Sequence, residues 1–234
     1  VNLVVDIGNT AIKATAFRKG QVDWHRHVLP EELEGLLRTW YGPILVSSVR
    51  QSLPEFIQDL SNVHVFSQDS RLPFSITPQL RTQTGTDRLA NAAALCTLFP
   101  QQTAMAVDMG TCITYSLVHH GKFVGGGITP GYRTRLRAMH TFTGKLPFPE
   151  PVSGAVFPGK NTVQAMLSAT WIGVKAEVEA MIGQAMQDTG GPVHVILTGG
   201  DSGFFADAMK NIIFADALLT PKGLNAILEL NASN

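Results

Sequence analysis

The chain has 234 residues, of which 44% are hydrophobic and 15% charged, the composition of a well-buried globular protein rather than a disordered one. Lysine plus arginine and aspartate plus glutamate each number 18, so the formal net charge is zero. With no basic run, that balance argues against a partner gripped through a phosphate backbone, and no nucleic acid is expected. A small anion held in a local pocket is compatible with it. No apolar stretch approaches the roughly 20 residues of a membrane span, and the N-terminus lacks a basic-then-apolar signal pattern. No membrane partner and a cytoplasmic location are therefore expected. The chain begins at Val1 without methionine, and a residue or so upstream is expected. Its two cysteines, Cys96 in an apolar helical run and Cys112 in a glycine-containing turn, share no spacing pattern, which fits a reducing compartment.

In chain order, Leu3 to Val5 is a short buried strand running into Asp6-Ile7-Gly8-Asn9-Thr10, a tight turn. Ala11 to Phe17 reads as the returning antiparallel strand, Lys19-Gly20 as a hairpin turn, and Val22 to Val28 as a third strand. Glu31 to Trp40 has helical apolar spacing after Pro30, which suits a first-turn position. Ile44 to Val49 predicts a strand, Pro54 to Leu60 a helix, and Val63 to Phe66 a short strand. Pro73 to Gly85 reads as a polar loop lining a site. Thr86-Asp87-Arg88 opens a helix of alanine and leucine that Pro100 closes.

At Ala104 the opening pattern restarts. Met105 to Val107 runs into Asp108-Met109-Gly110-Thr111, followed by strands at Ile113 to Val118 and Phe123-Val124. A repeat roughly a hundred residues long indicates two related domains, here residues 1–102 and 103–234. Beyond it lie Gly125-Gly126-Gly127, a basic helical stretch around Arg133, Arg135 and Arg137, and a proline-rich loop from Pro147 to Pro158. Thr162 begins a long helix with one apolar face. Val193 to Leu197 is a strand ending in Thr198-Gly199-Gly200-Asp201.

An Asp-x-Gly-x-Thr turn between two strands suits phosphate chemistry. Glycine lets the backbone approach an anion, successive N–H groups can point at it, and the aspartate can hold hydrated Mg²⁺. One such turn is common. Two copies, each after an apolar strand, followed by a late glycine pair that can pack against adenosine, form a far more specific order.

That order resembles the two-domain ATPase superfamily of sugar kinases, heat-shock chaperones and actin. The resemblance implies an α/β fold of two ribonuclease-H-like domains with an ATP cleft between them. Finer segments are similar to one family within it, the type III pantothenate kinases. They are Asp6 to Thr10 with Lys13, Ser47-Ser48-Val49, Gly85-Thr86-Asp87-Arg88, Asp108 to Thr111, Gly126-Gly127-Ile128-Thr129-Pro130-Gly131, Leu146-Pro147 and Gly159-Lys160-Asn161-Thr162. The similarity spans almost the whole chain.

The resemblance implies transfer of a phosphoryl group from ATP to pantothenate at the start of coenzyme A synthesis. It places Asp6, Ile7, Gly8, Asn9, Thr10, Ala11, Ile12, Lys13 and Thr111 at the ATP site. Gly85, Thr86, Asp87, Arg88 and Thr162 fall at the pantothenate site, with Asp87 as catalytic base. Asp108 would bind a monovalent cation, K⁺ or NH₄⁺, and Asp6 would hold Mg²⁺ through water. The family also implies a homodimer.

Each residue has a plainer role open to it. Asp87 and Arg88 could serve only as a helix-start acid and a solvated arginine, Lys13 as an exposed strand lysine, and Thr162 as a helix cap. Arg133, Arg135 and Arg137 read as a solvated face and stay outside the site. The seven histidines show no metal-ligand spacing. Two departures from the family pattern stand out: the stretch Ser75 to Leu80 lacks a substrate-contacting tyrosine, and Ser116 replaces a common aspartate. Two rival functions remain at this point: a kinase of another small alcohol, and a non-catalytic regulator akin to accessory transcription factors.

Overall fold

The computed structural model of the protein describes residues 1–8, 11–48, 52–210 and 214–232. Asn9, Thr10 and Val49 lie outside the described residues. The chain forms two compact units, one of residues 1–98 with 218–234 and one of residues 99–217. The sequence assigned everything after residue 102 to the second domain, but the last helix returns to the first unit.

In the first unit, β1 (Asn2–Ile7) pairs antiparallel with β2 (Ile12–Arg18), which pairs antiparallel with β3 (Gln21–Val28). On its other side β1 pairs parallel with β4 (Ile44–Ser48), and β4 with β5 (Val63–Val65). The sheet order is therefore β3-β2-β1-β4-β5. Alternation sends Leu3, Val5 and Ile7 to one face, where they pack with Leu33 and Leu37 of α1 (Pro30–Arg38) and with Ile57. Asn2, Val4 and Asp6 take the opposite face, where Asn2 Nδ2 donates to Asn225 Oδ1 of α6 (Leu219–Ala232) at 2.9 Å.

The second unit repeats the plan. Here β6 (Thr103–Met109) is central, with antiparallel β7 (Cys112–His119) and β8 (Lys122–Gly125) on one side. Parallel β10 (His194–Thr198) and β11 (Phe214–Ala215) lie on the other, giving β11-β10-β6-β7-β8. A short β9 (Ile128–Pro130) also pairs with β7. Met105, Val107 and Met109 face a core shared with Leu136 of α4 (Tyr132–Phe142) and Val174 and Val178 of α5 (Thr162–Thr189).

Three segments differ from expectation. Residues 55–59 form a 3₁₀ turn rather than an α-helix. The supposed loop of residues 73–85 contains α2 (Pro78–Gln83), started by Pro78 at its first position and by Thr77, whose Oγ1 accepts from Leu80 N. The third, α6, was not anticipated. It packs on α3 (Thr86–Leu98), with Thr220 Oγ1 donating to Asn91 Oδ1 at 2.8 Å. Among the described residues, no helix is long and apolar enough to cross a membrane.

The α3–α6 contact depends on Gly223, where a Cβ would run into the carbonyl of Ala90 and the backbone of Ala94. Gly223→Ala must push the two helices apart. It should lower stability by about 1–3 kcal/mol, the usual cost of overpacking, read as a lower urea midpoint with an unchanged slope.

Candidate active site

Both Asp-x-Gly turns sit at the carboxyl edge of their sheets, where the central strand and its parallel neighbour end together. That edge is the usual binding side of open α/β sheets. In the first unit Asp6 pairs with Lys13 on β2 and with Ser47 on β4, so three polar residues share one rung and one face. Ser47 is buried and Lys13 exposed. Gly8 N donates to Ala11 O at 3.0 Å, closing the turn. Ile7 and Ile12 point into the apolar core, which leaves only their main chain for a ligand.

The second unit has the matching rung: Asp108 pairs with Thr114 on β7 and with Thr198 on β10. Its turn is closed by Gly110 N donating to Cys112 O at 2.9 Å. Gly199, at φ +88°, lies against the acid, and a Cβ there would sit 2.5 Å from Asp108 Oδ1 and 2.6 Å from Met109 N. The glycine of the Thr-Gly-Gly segment therefore serves two needs, a left-handed backbone and contact with the second turn. Asp201 N donates to Met109 O at 2.8 Å, joining the loop to the same strand end.

The Thr111 carbonyl anchors α4, accepting from Gly131 N at 2.9 Å and from Thr134 Oγ1 at 2.7 Å, while Thr111 itself stays exposed. A Cβ on Gly131 would collide with the Gly110 carbonyl, which accounts for the glycine of the Pro130-Gly131 pair.

Of the three arginines of α4, Arg133 and Arg137 are exposed as expected of a solvated face, whereas Arg135 is partly buried and ion-paired. Arg135 donates to Glu177 Oε2 of α5 at 2.6 Å, and Glu177 Oε1 accepts from Thr129 Oγ1 at 2.7 Å and from the Tyr115 hydroxyl at 3.0 Å. Arg133 pairs with Asp201 at 3.1 Å and Glu150 at 3.2 Å. Together with Arg137 it lines a cavity of about 200 Å³ bounded also by Gly110, Thr111, Thr134, Gly200 and Asp201, whose carboxylate Arg133 neutralises. A basic helix that directly follows the Pro130-Gly131 pair was the available signal.

In the first unit, Gly85-Thr86-Asp87-Arg88 forms the start of α3. The Gly85 carbonyl accepts from Leu89 N at 3.1 Å, and the Asp87 carboxylate curls back so that a Cβ on Gly85 would lie 2.6 Å from its Oδ1. Burial lowers the Arg88 pKa, opposed by the charge of Asp87 beside it. Thr162 does not cap α5. It is the first helical residue, and Asn161 Oδ1 caps by accepting from Gln164 N at 2.9 Å.

The family described as type III pantothenate kinase matches residues 2–184. The chain belongs to that family. A type III pantothenate kinase from Cytophaga hutchinsonii is 34% identical over 99% of this chain and 100% of its own. Among solved structures, one described as a Baf family transcriptional activator from Campylobacter jejuni superposes with TM-score 0.69 at 21% identity, covering 99% of this chain and 100% of that one. Another, described as a 2-dehydro-3-deoxygalactonokinase from Sinorhizobium meliloti, gives 0.60 at 12% identity, covering 99% and 98%. At such identities these two speak for the fold alone. That fold is a mixed α/β architecture with two sheets.

In this type III pantothenate kinase family member, Glu177 gives a measurable handle on the α4–α5 junction. Burial works against its charge, but the donors Arg135, Thr129 and Tyr115 outweigh it and hold its pKa below the usual carboxylate value. A depressed folded pKa stabilises fully above the unfolded value and loses that contribution as pH falls through the folded one. Glu177→Gln should therefore flatten the acid side of the stability–pH profile, measured by thermal midpoints across the acidic range.

Proposed function

We propose that this chain transfers the γ-phosphoryl group of ATP to the primary hydroxyl of pantothenate, the step that opens coenzyme A synthesis. The observation that carries the reading is the doubled strand–Asp-x-Gly–strand turn, set at the same edge of two sheets of the same strand order, in a member of this kinase family. Such transfer asks for positioning and charge neutralisation more than for covalent help from the protein.

Lys13, Asn9, Thr10 and Thr111 cradle the phosphates, with Gly8 N donating to Ala11 O to close the first turn. Arg88 holds the substrate carboxylate, where a forked guanidinium suits paired oxygens, and Gly85, Thr86 and Thr162 complete the pantothenate site. Asp87 accepts the hydroxyl proton as the oxygen attacks phosphorus. The new O–P bond forms as the bond from the γ-phosphorus to the bridging oxygen breaks, and ADP leaves.

The donor chemistry suits the two cations. Asp6, flanked by Lys13 and Ser47, is a single carboxylate of the kind that holds Mg²⁺ through water. Asp108 shares its rung with two hydroxyl residues, and Thr114 Oγ1 is buried without a hydrogen-bond partner among the described residues, an oxygen set fit for K⁺ or NH₄⁺. When bound, these ions neutralise phosphate charge. The protein works in the cytoplasm, where ATP is supplied, as a homodimer whose contact includes α5, where Val163 and Ile172 are exposed. Full activity in sodium buffer lacking potassium and ammonium would remove the cation assignment, and a monomer by light scattering at micromolar concentration would remove the dimer.

Asp87→Asn tests the chemistry most directly. It keeps size and polarity, so folding and ATP binding survive while turnover with pantothenate falls roughly 100- to 10,000-fold, the usual contribution of a general base. An unchanged rate in the folded variant would overturn the assignment. Loss of folding would favour a purely structural role at the helix start.

A further inference from the structure

The cavity beside the second turn contains a cation that neither the two Asp-x-Gly turns nor the Gly85–Arg88 helix start accounts for. Arg133 and Arg137 lie one helical turn apart on α4 and both line it. Their situations differ. Arg133 is engaged by Asp201 and Glu150 and lies over the Phe204 ring at 5.6 Å, so its charge is already answered within the unit. It acts as a strut that fixes the Gly199–Asp201 loop to α4.

Arg137 pairs with no carboxylate among the described residues. Its guanidinium carbon stands 5.5 Å from the centre of the Phe148 ring, a contact that supports the flat group and leaves its N–H edge for another partner. Two bare stretches of backbone share the cavity. At Gly200 a Cβ would meet nothing within 4 Å, and at Gly110 nothing nearer than 3.8 Å. At about 200 Å³ the space suits a phosphate or diphosphate group rather than a whole nucleotide. Paired oxygens on a tetrahedral anion match a guanidinium fork, and the exposed Thr111 adds a hydroxyl.

We propose that Arg137 is a phosphate-binding residue for the nucleotide, contacting the polyphosphate in the cavity formed by the Gly110–Thr111 turn, Gly200 and α4. This rests on the kinase reading above, and it adds a contact on α4 that the two Asp-x-Gly turns do not supply.

The test is calorimetric titration of the full chain with ATP, ADP and adenosine in Mg²⁺ buffer, and separately with pantothenate. Arg137→Ala should weaken ATP and ADP by about 10-fold or more, as losing a charge-assisted hydrogen bond does, and should leave adenosine and pantothenate within about two-fold. Arg137→Lys, which keeps the charge but loses the fork, should fall between. If Arg137→Ala does not fold, Arg137→Gln and Arg137→Lys carry the same comparison. ATP affinity within about two-fold of the parent would overturn the proposal. So would an equal loss for adenosine, since the contact would then lie with the nucleoside. The kinase reading fails separately, if the parent chain binds ATP but consumes none with pantothenate. A parent chain that binds no ATP overturns both.

Discussion

Each unit is organised by a central strand that has an antiparallel neighbour on one side and a parallel neighbour on the other. The antiparallel partner must return through a tight hairpin, and the parallel partner must end at the same edge. Whatever ends the central strand is therefore flanked by a hairpin tip on one side and a strand end on the other. In β1 the residue one before the end is Asp6, between Lys13 and Ser47. In β6 it is Asp108, between Thr114 and Thr198. Strand alternation keeps both acids off the apolar face, because Ile7 and Met109 take the core position one residue later. Once the strand order is set, the polar rungs follow from it.

Glycine holds the second of these edges together by close approach. Gly131 brings α4 onto the turn at Gly110 and Thr111, and Gly199 lies on the Asp108 carboxylate. Both contacts set backbone against backbone or against a short acid, where any side chain would intrude. A glycine of the pair read as packing against adenosine thus also fixes the geometry of the second turn. Arg133 completes the arrangement by tying Asp201 to α4.

Much of this was legible from the residues. Apolar runs ending in Asp-x-Gly gave the central strands, and the long apolar period after Thr162 gave α5. What escaped notice was governed by contacts between distant segments. Residues 219–232 include Pro221 and Gly223, which look like helix breakers. In the structure Pro221 falls in the first turn of α6, where no intrahelical N–H is required, and Gly223 is the point of contact with α3. The pairing of Arg133 and Arg135 escaped notice because their partners Asp201, Glu150 and Glu177 are 17 to 68 residues away in sequence. Thr77-Pro78 was a local signal for α2 that a polar, proline-bearing stretch concealed.

The two hairpins differ in length at the tip. Between Ile7 and its partner Ile12 the chain spends residues 8–11, whereas between Met109 and Ile113 it spends 110–112. The strands below keep the same pairing in both cases, since sheet register is set by buried side chains and a tip exposed at the edge can gain or lose a residue without shifting it. The difference in length is thereby confined to the hairpin tips. Two halves of common design can diverge one loop at a time without a change of register in either sheet.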